Sequence, residues 1–275
     1  IQLSESSSGN YADFAADIIK PFFENDPLYK NIPEICRTAF NFEVPLHWLT
    51  DSQAVLELFH GPTAAFKDFG ARFLAAVMEK LQKGKSRDLT ILVATSGDTG
   101  SAVASAFHNK KGIQVKVLYP EGRVSRRQEK QLTCWDNNIS SYCVAGNFDD
   151  CQKMVKTAFQ DKDLTKNWDL SSANSINLGR LLPQMVYFYY SSLVFLKKTG
   201  NKPVIIIPSG NVGNSVGAYW AMELDAPIEK IVLAVNTNKT IPDFIETGDY
   251  TPRPAIATIA NAMDVLWKNV LGGGN

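Results

Sequence analysis

The sequence has no excess of charge of either sign, because 28 lysines and arginines balance 28 aspartates and glutamates among its 275 residues. Nucleic-acid-binding proteins usually carry a basic excess, and charged tails carry a run of one sign. We therefore expect no nucleic-acid partner. Long apolar runs are also lacking, since the longest, MVYFYYSSLVFL at 185–196, is too short for a membrane span and contains serines. We therefore expect no membrane partner either.

Cysteine and histidine are scarce. The four cysteines show neither a CxxC pair nor the spacing of a disulfide scaffold, so we interpret them as the reduced thiols of a cytoplasmic protein. The three histidines are scattered along the chain, and we expect no metal site. The first residues, IQLSESSSGNYADF, lack the basic start and apolar centre of a signal peptide, which agrees with a cytoplasmic protein.

What the sequence does have is an alternation of β-rich and amphipathic segments from residue 91 onward. The β-rich runs are ILVAT at 91, QVKVLY at 114, SYCVA at 141, WDLSS at 168, VIIIP at 204 and IVLAVN at 231. The amphipathic stretches lie near 101–110, 126–135, 149–160, 178–198 and 214–224. This alternation predicts an α/β protein with a mostly parallel sheet and helices on both faces.

Prolines and a capping box predict where individual helices begin or break. Residues 11–40 are expected to be helical with a break at Pro21. Ser125, followed three residues later by Gln128, predicts a capping box at the start of the next helix. Pro183 falls in the first turns of a later helix, where proline is tolerated or bends the start.

Two segments, VATSGDTGSAV at 93–103 and IIPSGNVGNSV at 206–216, share one design. Each has an apolar strand, a Ser-Gly-Asp/Asn-x-Gly turn and then a helix. Glycine lets the backbone approach a ligand, and a helix N-terminus offers free N–H groups with a partial positive charge. The two copies favour two anion sites, one in each of two α/β lobes, although two plain tight turns remain the alternative. Neither segment matches the dinucleotide or P-loop fingerprint.

The segment ELFHGPTAAFKDFGARF at 57–73 contains a single lysine, Lys67, at the expected start of a helix. A cation there lies at the unfavourable end of the helix dipole, and burial near Phe66 and Phe69 would favour the neutral amine that reacts with aldehydes. The alternative is an ordinary lysine that pairs with Asp68 or faces solvent. The two predicted anion sites favour the reactive lysine, because pyridoxal phosphate supplies both an aldehyde and a phosphate.

The lysine segment LELFHGPTAAFKDFGARFL resembles the lysine motif of threonine synthases, which are pyridoxal-phosphate enzymes of fold type II (tryptophan-synthase-β type). The resemblance covers roughly residues 10–265 and continues through five further segments. These are ATSGDTGSAV, YPEGRVSRRQEKQLT, SSANSINLGRLLPQ, IPSGNVGNSVGAYWA and AVNTNKTIPDFIETGDY. The resemblance implies a two-lobed α/β fold in which each lobe is a mostly parallel sheet flanked by helices. It implies a large cofactor-binding domain, 1–88 with 166–275, and a small mobile substrate-side domain, 89–165.

The resemblance also implies roles for individual residues. Lys67 would form a Schiff base with pyridoxal 5'-phosphate and carry protons. The cofactor phosphate would lie in the second glycine loop, which consists of Gly210, Asn211, Val212, Gly213 and Asn214. The first loop would face the substrate and the cofactor's phenolic oxygen, the latter through Asp98, and its other members are Ser96, Gly97, Thr99 and Gly100. Asn174 and Arg180 would hold the substrate phosphate, because a guanidinium can clamp phosphate with two hydrogen bonds. The residues alone favour a turn residue at Asn174 and a surface charge at Arg180.

The implied reaction converts O-phospho-L-homoserine and water into L-threonine and phosphate in a cytoplasmic monomer or homodimer. One alternative is a phospho-lyase that releases 2-oxobutyrate from O-phosphothreonine or O-phosphohomoserine, and another is a ligand-binding relative without activity. After ATIANAMDV at 257–265 the sequence departs from the family, and the residue that faces the pyridine nitrogen has no counterpart. We therefore expect stretches of the whole protein to be missing from this sequence.

Overall fold

The structure, a computed structural model, describes residues 10–95, 97–174, 177–210, 212–249, 251, 256 and 258–260. Its strands are β1 (Leu46–Trp48), β2 (Ala54–Leu56), β3 (Leu89–Ala94), β4 (Ile113–Pro120), β5 (Ile139–Val144), β6 (Asp169–Ser172), β7 (Val204–Pro208) and β8 (Lys230–Ala234). Its α-helices are α1 (Tyr11–Ile19), α2 (Ile32–Ala39), α3 (Lys67–Gln82), α4 (Asp98–Phe107), α5 (Arg126–Thr133), α6 (Phe148–Gln160), α7 (Lys162–Asn167), α8 (Leu178–Thr199), α9 (Gly213–Glu223) and α10 (Thr240–Thr247).

The described strands that follow α3 form two sheets, and the strands in each sheet are parallel. Four of them lie in the order β5-β4-β3-β6, and β7 pairs with β8 in a separate two-stranded sheet. Because the connections run through helices, both glycine loops follow the carboxyl end of a strand and lead into a helix. The prediction of an α/β fold with parallel sheets is confirmed. The short antiparallel pair β1-β2 was not predicted.

The N-terminal region has the predicted break. Helix α1 ends at Ile19, and Pro21 lies in a 3₁₀ helix at Lys20–Phe23 before α2 begins. Proline suits such a first turn because it lacks an N–H group to leave unpaired. Helix α8 continues through Pro183, so that proline does not end it.

The described residues form two apolar cores, and α3 contributes to both. Phe69 and Phe73 face the core made with the N-terminal helices, α8 and α9. Ala71 and Leu74 face the core beneath the four-stranded sheet and α4. Burial of each phenylalanine contributes about 1.5–3 kcal/mol. Helix α3 is therefore fixed from two sides, and Lys67 lies at its first residue.

Candidate active site

The turn before α3 is fastened to the helix by Asp68, whose side chain is fully buried. Its carboxylate accepts hydrogen bonds from the Thr63 N–H group at 2.9 Å and from the Thr63 hydroxyl at 2.7 Å. Gly61 permits this packing, since a Cβ atom at that position would lie 2.8 Å from the Asp68 Cβ atom. The Gly61–Thr63 turn and the start of α3 thus form one rigid unit that positions Lys67.

Lys67 turns away from Asp68 and reaches another helix. Its Nζ atom lies 3.4 Å from Oδ2 of Asp98, the first residue of α4, and only 16% of its side chain is exposed. Phe66 lies beside the amine, with its ring centroid 5.3 Å from Nζ. The alternative of a solvent-facing lysine or one paired with Asp68 is therefore wrong, because α3 presents Lys67 to the start of α4.

The environment of Lys67 moves its amine toward the neutral form. Burial is the largest influence and lowers the pKa of Lys67, the Arg180 guanidinium lowers it further, and the Asp98 carboxylate raises it in part. Burial raises the pKa of Asp98, but the Lys67 ammonium and a hydrogen bond from Gln128 outweigh it and bring the pKa below its usual value. The site therefore holds an ionised carboxylate beside an amine that loses its proton more readily than a surface lysine.

The first glycine loop is organised by Thr95, a residue that the sequence analysis did not single out. The Thr95 hydroxyl accepts hydrogen bonds from the N–H groups of Gly97 at 3.0 Å and Gly100 at 2.9 Å. A Cβ atom on Gly100 would lie 2.5 Å from Thr95 Cγ2, and Gly97 has a φ of +143°, so both positions require glycine. The N–H groups of Asp98 and Thr99 are the donors of this turn that Thr95 does not use. Ser96 lies outside the described residues.

The second glycine loop carries a strained residue. Val212 has a φ of +45°, which is unusual for a β-branched side chain and costs about 1–3 kcal/mol. The hydroxyls of Ser209 and Ser215 lie 2.7 Å apart and tie the base of the loop together. Gly213 begins α9 directly after Val212, so the first N–H groups of that helix point out of the loop, which suits an anion. Asn211 lies outside the described residues.

Tyr187 connects this second loop to the lysine helix. Its ring packs edge-on against Phe69 with centroids 5.0 Å apart, and its hydroxyl donates to the side-chain oxygen of Asn214. Tyr187 is fully buried, and burial raises its pKa well above the usual value, so it remains a donor at neutral pH. Tyr187 could not be singled out from the sequence, because its position in an apolar helix indicates only a core residue.

Arg180 is buried in α8, with 2% of its surface exposed. Its Nη1 atom donates to the Ala173 carbonyl at 2.9 Å, and its buried Nε atom has no hydrogen-bond partner among the described residues. Burial lowers the pKa of Arg180 to about 10, so the guanidinium remains charged at neutral pH. Gly70 lets α3 approach it closely, because a Cβ atom there would lie 2.6 Å from the Arg180 carbonyl oxygen. The alternative of a surface charge at Arg180 is wrong.

Asn174 differs from Arg180 because it is exposed. Its carbonyl accepts a hydrogen bond from the Asn177 N–H group at 3.3 Å in the turn that leads into α8. Asn177 in turn caps α8 through the Gly179 N–H group at 2.9 Å. Asn174 thus occupies a turn before the helix of Arg180, as the residues alone suggested.

These features fit a cofactor that combines an aldehyde with a phosphate. Lys67 has an amine of the kind that reacts with an aldehyde, and the start of α9 at Gly213 suits a phosphate. Arg180 is a buried cation whose Nε–H group has no partner within the described ranges, and such a group costs free energy unless an anion reaches it. The donor set therefore suits pyridoxal phosphate and a second anionic group.

No helix in the described ranges has the length and apolar character needed to cross a membrane. Within the same ranges, no group of three or more histidine, cysteine or acidic side chains is arranged to hold a metal ion.

His60 lies 2.7 Å from the Glu57 carboxylate, just before the Gly61 turn.

Comparison with known proteins agrees with this reading of the site. Residues 52–271 match the profile of the family described as pyridoxal-phosphate dependent enzyme. The chain is similar to the threonine synthase of Buchnera aphidicola subsp. Baizongia pistaciae, with 42% identity over 93% of this chain and 60% of the relative. It is also similar to that of Escherichia coli, with 39% identity over 98% of this chain and 62% of the relative. The chain thus spans about three fifths of the length of these curated relatives.

Solved structures show the same similarity. The crystal structure of threonine synthase from Escherichia coli has a TM-score of 0.84 and 39% identity, over 94% of this chain and 60% of that one. The structure of PLP-bound threonine synthase from Brucella melitensis has a TM-score of 0.86 and 33% identity, over 94% of this chain and 57% of that one. The resemblance to threonine synthases is confirmed, and this chain belongs to the pyridoxal-phosphate dependent enzyme family.

Proposed function

We propose that this chain carries the active centre of a threonine synthase, which converts O-phospho-L-homoserine and water into L-threonine and phosphate. The observation that carries the proposal is the buried Lys67 amine, which lies 3.4 Å from the Asp98 carboxylate and within the electrostatic range of Arg180. The similarity to threonine synthases at about 40% identity supports the same reaction. The phosphate of O-phospho-L-homoserine supplies the second anionic group, which the buried Arg180 guanidinium suits.

In this proposal Lys67 would hold the cofactor through its aldehyde, as a Schiff base, and Asp98 would lie on the side of its phenolic oxygen. The second loop would hold the cofactor phosphate, through Gly210, Asn211, Val212, Gly213 and Asn214. When bound, pyridoxal phosphate supplies an electron sink that makes the Cα and Cβ protons of the substrate removable. The protein's own contribution is then to position the substrate and to carry its protons.

Lys67 Nζ is the proposed proton carrier. Because burial lowers the pKa of Lys67, a larger fraction of the free amine is neutral at physiological pH than on a surface lysine. A neutral amine can accept a proton from the substrate and return it at a neighbouring carbon. The ionised Asp98 beside it stabilises the ammonium form while the proton is held.

The substrate phosphate is proposed to bind at Arg180 and Asn174. The unsatisfied Nε group of Arg180 can donate to a phosphate oxygen, and its positive charge would stabilise the phosphate as it leaves. The first loop would hold the rest of the substrate, through Ser96, Gly97, Thr99 and Gly100. Since Thr95 uses the N–H groups of two of these residues, the Thr99 N–H group and hydroxyl are the donors we favour there.

The domain division also remains a proposal, with 89–165 as a small mobile domain and 1–88 with 166–275 as the cofactor-binding domain. Closing the first loop over the substrate would exclude bulk water until the step that needs it. Strand β6 at 169–172 pairs with β3 in the four-stranded sheet, so a boundary at 165 would divide that sheet. We therefore propose that β6 moves together with the small domain. A cytoplasmic location and a monomeric or homodimeric state are likewise proposed.

The test is the release of products from O-phospho-L-homoserine by the purified protein with pyridoxal phosphate. We expect equal amounts of L-threonine and phosphate, and no threonine from Lys67→Ala. Phosphate together with 2-oxobutyrate instead of threonine would favour the phospho-lyase alternative. Binding of the cofactor without any product would favour a ligand-binding relative without activity.

A further inference from the structure

Gln128 joins the start of α5 to the Lys67 site. Its N–H group donates to the Ser125 hydroxyl at 3.2 Å, and its side-chain oxygen accepts from the Ser125 N–H group at 3.0 Å. This is the capping box that the sequence predicted. The other end of the same side chain, Nε2, donates to Oδ1 of Asp98 at 2.9 Å.

The orientation of the Gln128 amide follows from these two contacts. Turning the amide over would place its oxygen against the Asp98 carboxylate and its NH₂ group against the Ser125 N–H group, and both contacts would be repulsive. Gly97 makes the approach possible, since a Cβ atom there would lie 2.6 Å from Gln128 Cδ. Gln128 is therefore committed to donating to Asp98.

The two oxygens of Asp98 then have separate partners. Oδ1 accepts from Gln128, while Oδ2 lies 3.4 Å from the Lys67 amine. We propose that Gln128 is a positioning residue for Lys67, which holds Asp98 so that only one carboxylate oxygen faces the amine. This inference rests on the proposed role of Lys67 as the reactive amine.

The arrangement has an electrostatic consequence. Among the described residues, the charged groups that influence Lys67 are Asp98 on α4 and Arg180 on α8, and Asp98 itself is contacted by Lys67 and by Gln128 on α5. A hydrogen bond from Gln128 draws negative charge toward Oδ1, so Oδ2 stabilises the Lys67 ammonium less strongly. Loss of this donor should raise the pKa of Lys67 and reduce its neutral fraction.

The competing explanation is that Gln128 only caps α5, and the chain offers variants that separate the two roles. Gln128→Glu keeps an acceptor for the Ser125 N–H group, so the capping box survives, but it replaces the donor to Asp98 with a second negative charge. Gln128→Met removes the donor without adding a charge. Ser125→Ala is the matched control, since it removes the capping hydroxyl and leaves the Gln128–Asp98 hydrogen bond.

The test measures the reactivity of Lys67 in the full chain freed of cofactor. Limited acetylation at several pH values, read by mass spectrometry of the Lys67 peptide, reports the neutral fraction of the amine. The exposed Lys83 serves as the internal reference. We expect slower labelling of Lys67 at neutral pH in Gln128→Glu, by about tenfold for each unit that its pKa rises. Gln128→Met should slow it less, and Ser125→Ala should match the unsubstituted protein.

The proposal is overturned if Gln128→Met does not slow the labelling of Lys67, or if Ser125→Ala slows it as much as Gln128→Met. Slowing in Gln128→Glu alone also overturns it, because the added negative charge by itself raises the pKa of Lys67. Circular dichroism identifies a variant that fails to fold. If Gln128→Glu does not fold, the comparison of Gln128→Met with Ser125→Ala decides between positioning and capping. No product is measured, so failure of the proposed threonine synthesis would appear separately in the product assay.

Discussion

The Nζ atom of Lys67 and the Oδ2 atom of Asp98 lie 3.4 Å apart, and each belongs to the first residue of its helix. The start of a helix favours a carboxylate and disfavours a cation, so α4 stabilises ionised Asp98 while α3 favours the neutral Lys67 amine. The pair therefore combines a charged partner with an amine that is ready to react.

Replacing Asp98 with asparagine should lower the pKa of Lys67, whereas Gln128→Glu is expected to raise it. The Asp98 carboxylate raises the pKa of Lys67, so its removal should lower that pKa further and speed labelling of the amine at neutral pH. Acetylation of the Lys67 peptide against pH is again the measurement. A profile that stays the same would show that the carboxylate does not influence the amine.

The free energy of unfolding should depend on pH in part because of Lys67. Its pKa in the folded protein lies below the usual 10.5, so between these two values the unfolded chain binds more protons than the folded one. The free energy of unfolding should therefore rise with pH across this window. Lys67→Met lacks the titrating group and should show a smaller rise, which urea denaturation at a series of pH values can detect. Identical slopes in the two proteins would contradict the lowered pKa.

Thr95→Val should destabilise the protein by about 1–3 kcal/mol, because it leaves the buried N–H groups of Gly97 and Gly100 without their acceptor. Valine keeps the shape of threonine, so the loss comes mainly from the missing hydroxyl. Urea denaturation measures the effect, and Thr95→Ser is the control that retains the hydroxyl. If the valine variant keeps its stability while the serine variant loses it, the methyl group rather than the hydroxyl supports the loop.

Tyr187→Phe should weaken the second loop while keeping the ring that packs on Phe69. Loss of the hydrogen bond to Asn214 should reduce the free energy of unfolding by about 0.5–1.5 kcal/mol and weaken binding of pyridoxal phosphate several-fold. Denaturation and a fluorescence titration with the cofactor measure the two effects. Tyr219→Phe, at an exposed position of the adjoining α9, is the matched control. Equal cofactor affinities in the two variants would show that the Tyr187 hydroxyl does not support the loop.

Much of the fold could be predicted from the sequence, because short apolar runs separated by amphipathic segments indicate parallel strands and their connecting helices. The strand that begins at Ile139 was placed two residues late, since Ile139 follows a polar turn and reads as part of it. The short strands β1 and β2 have only three residues each, too few for a repeating pattern. Helix α3 packs into both apolar cores, and an apolar pattern on one face of a helix cannot indicate such two-sided burial.

The site was less accessible to sequence reasoning. The motifs of Lys67 and Asp98 could be recognised, but their contact joins residues 31 positions apart and depends on the packing of α3 against α4. Burial of Arg180 could not be foreseen from its polar side chain, since Gly70 on another helix creates the space for it. The capping box at Gln128 was predicted and is present, yet its second contact with Asp98 appears only in three dimensions.

The central claim, that Lys67 is the amine that holds the cofactor, is tested most directly by borohydride reduction of the protein with pyridoxal phosphate, followed by peptide mass spectrometry. The account predicts that the reduced cofactor is found on the peptide containing Lys67, and that Lys67→Arg abolishes this label together with the near-visible absorption. A label spread over exposed lysines, or one unchanged in Lys67→Arg, would contradict it.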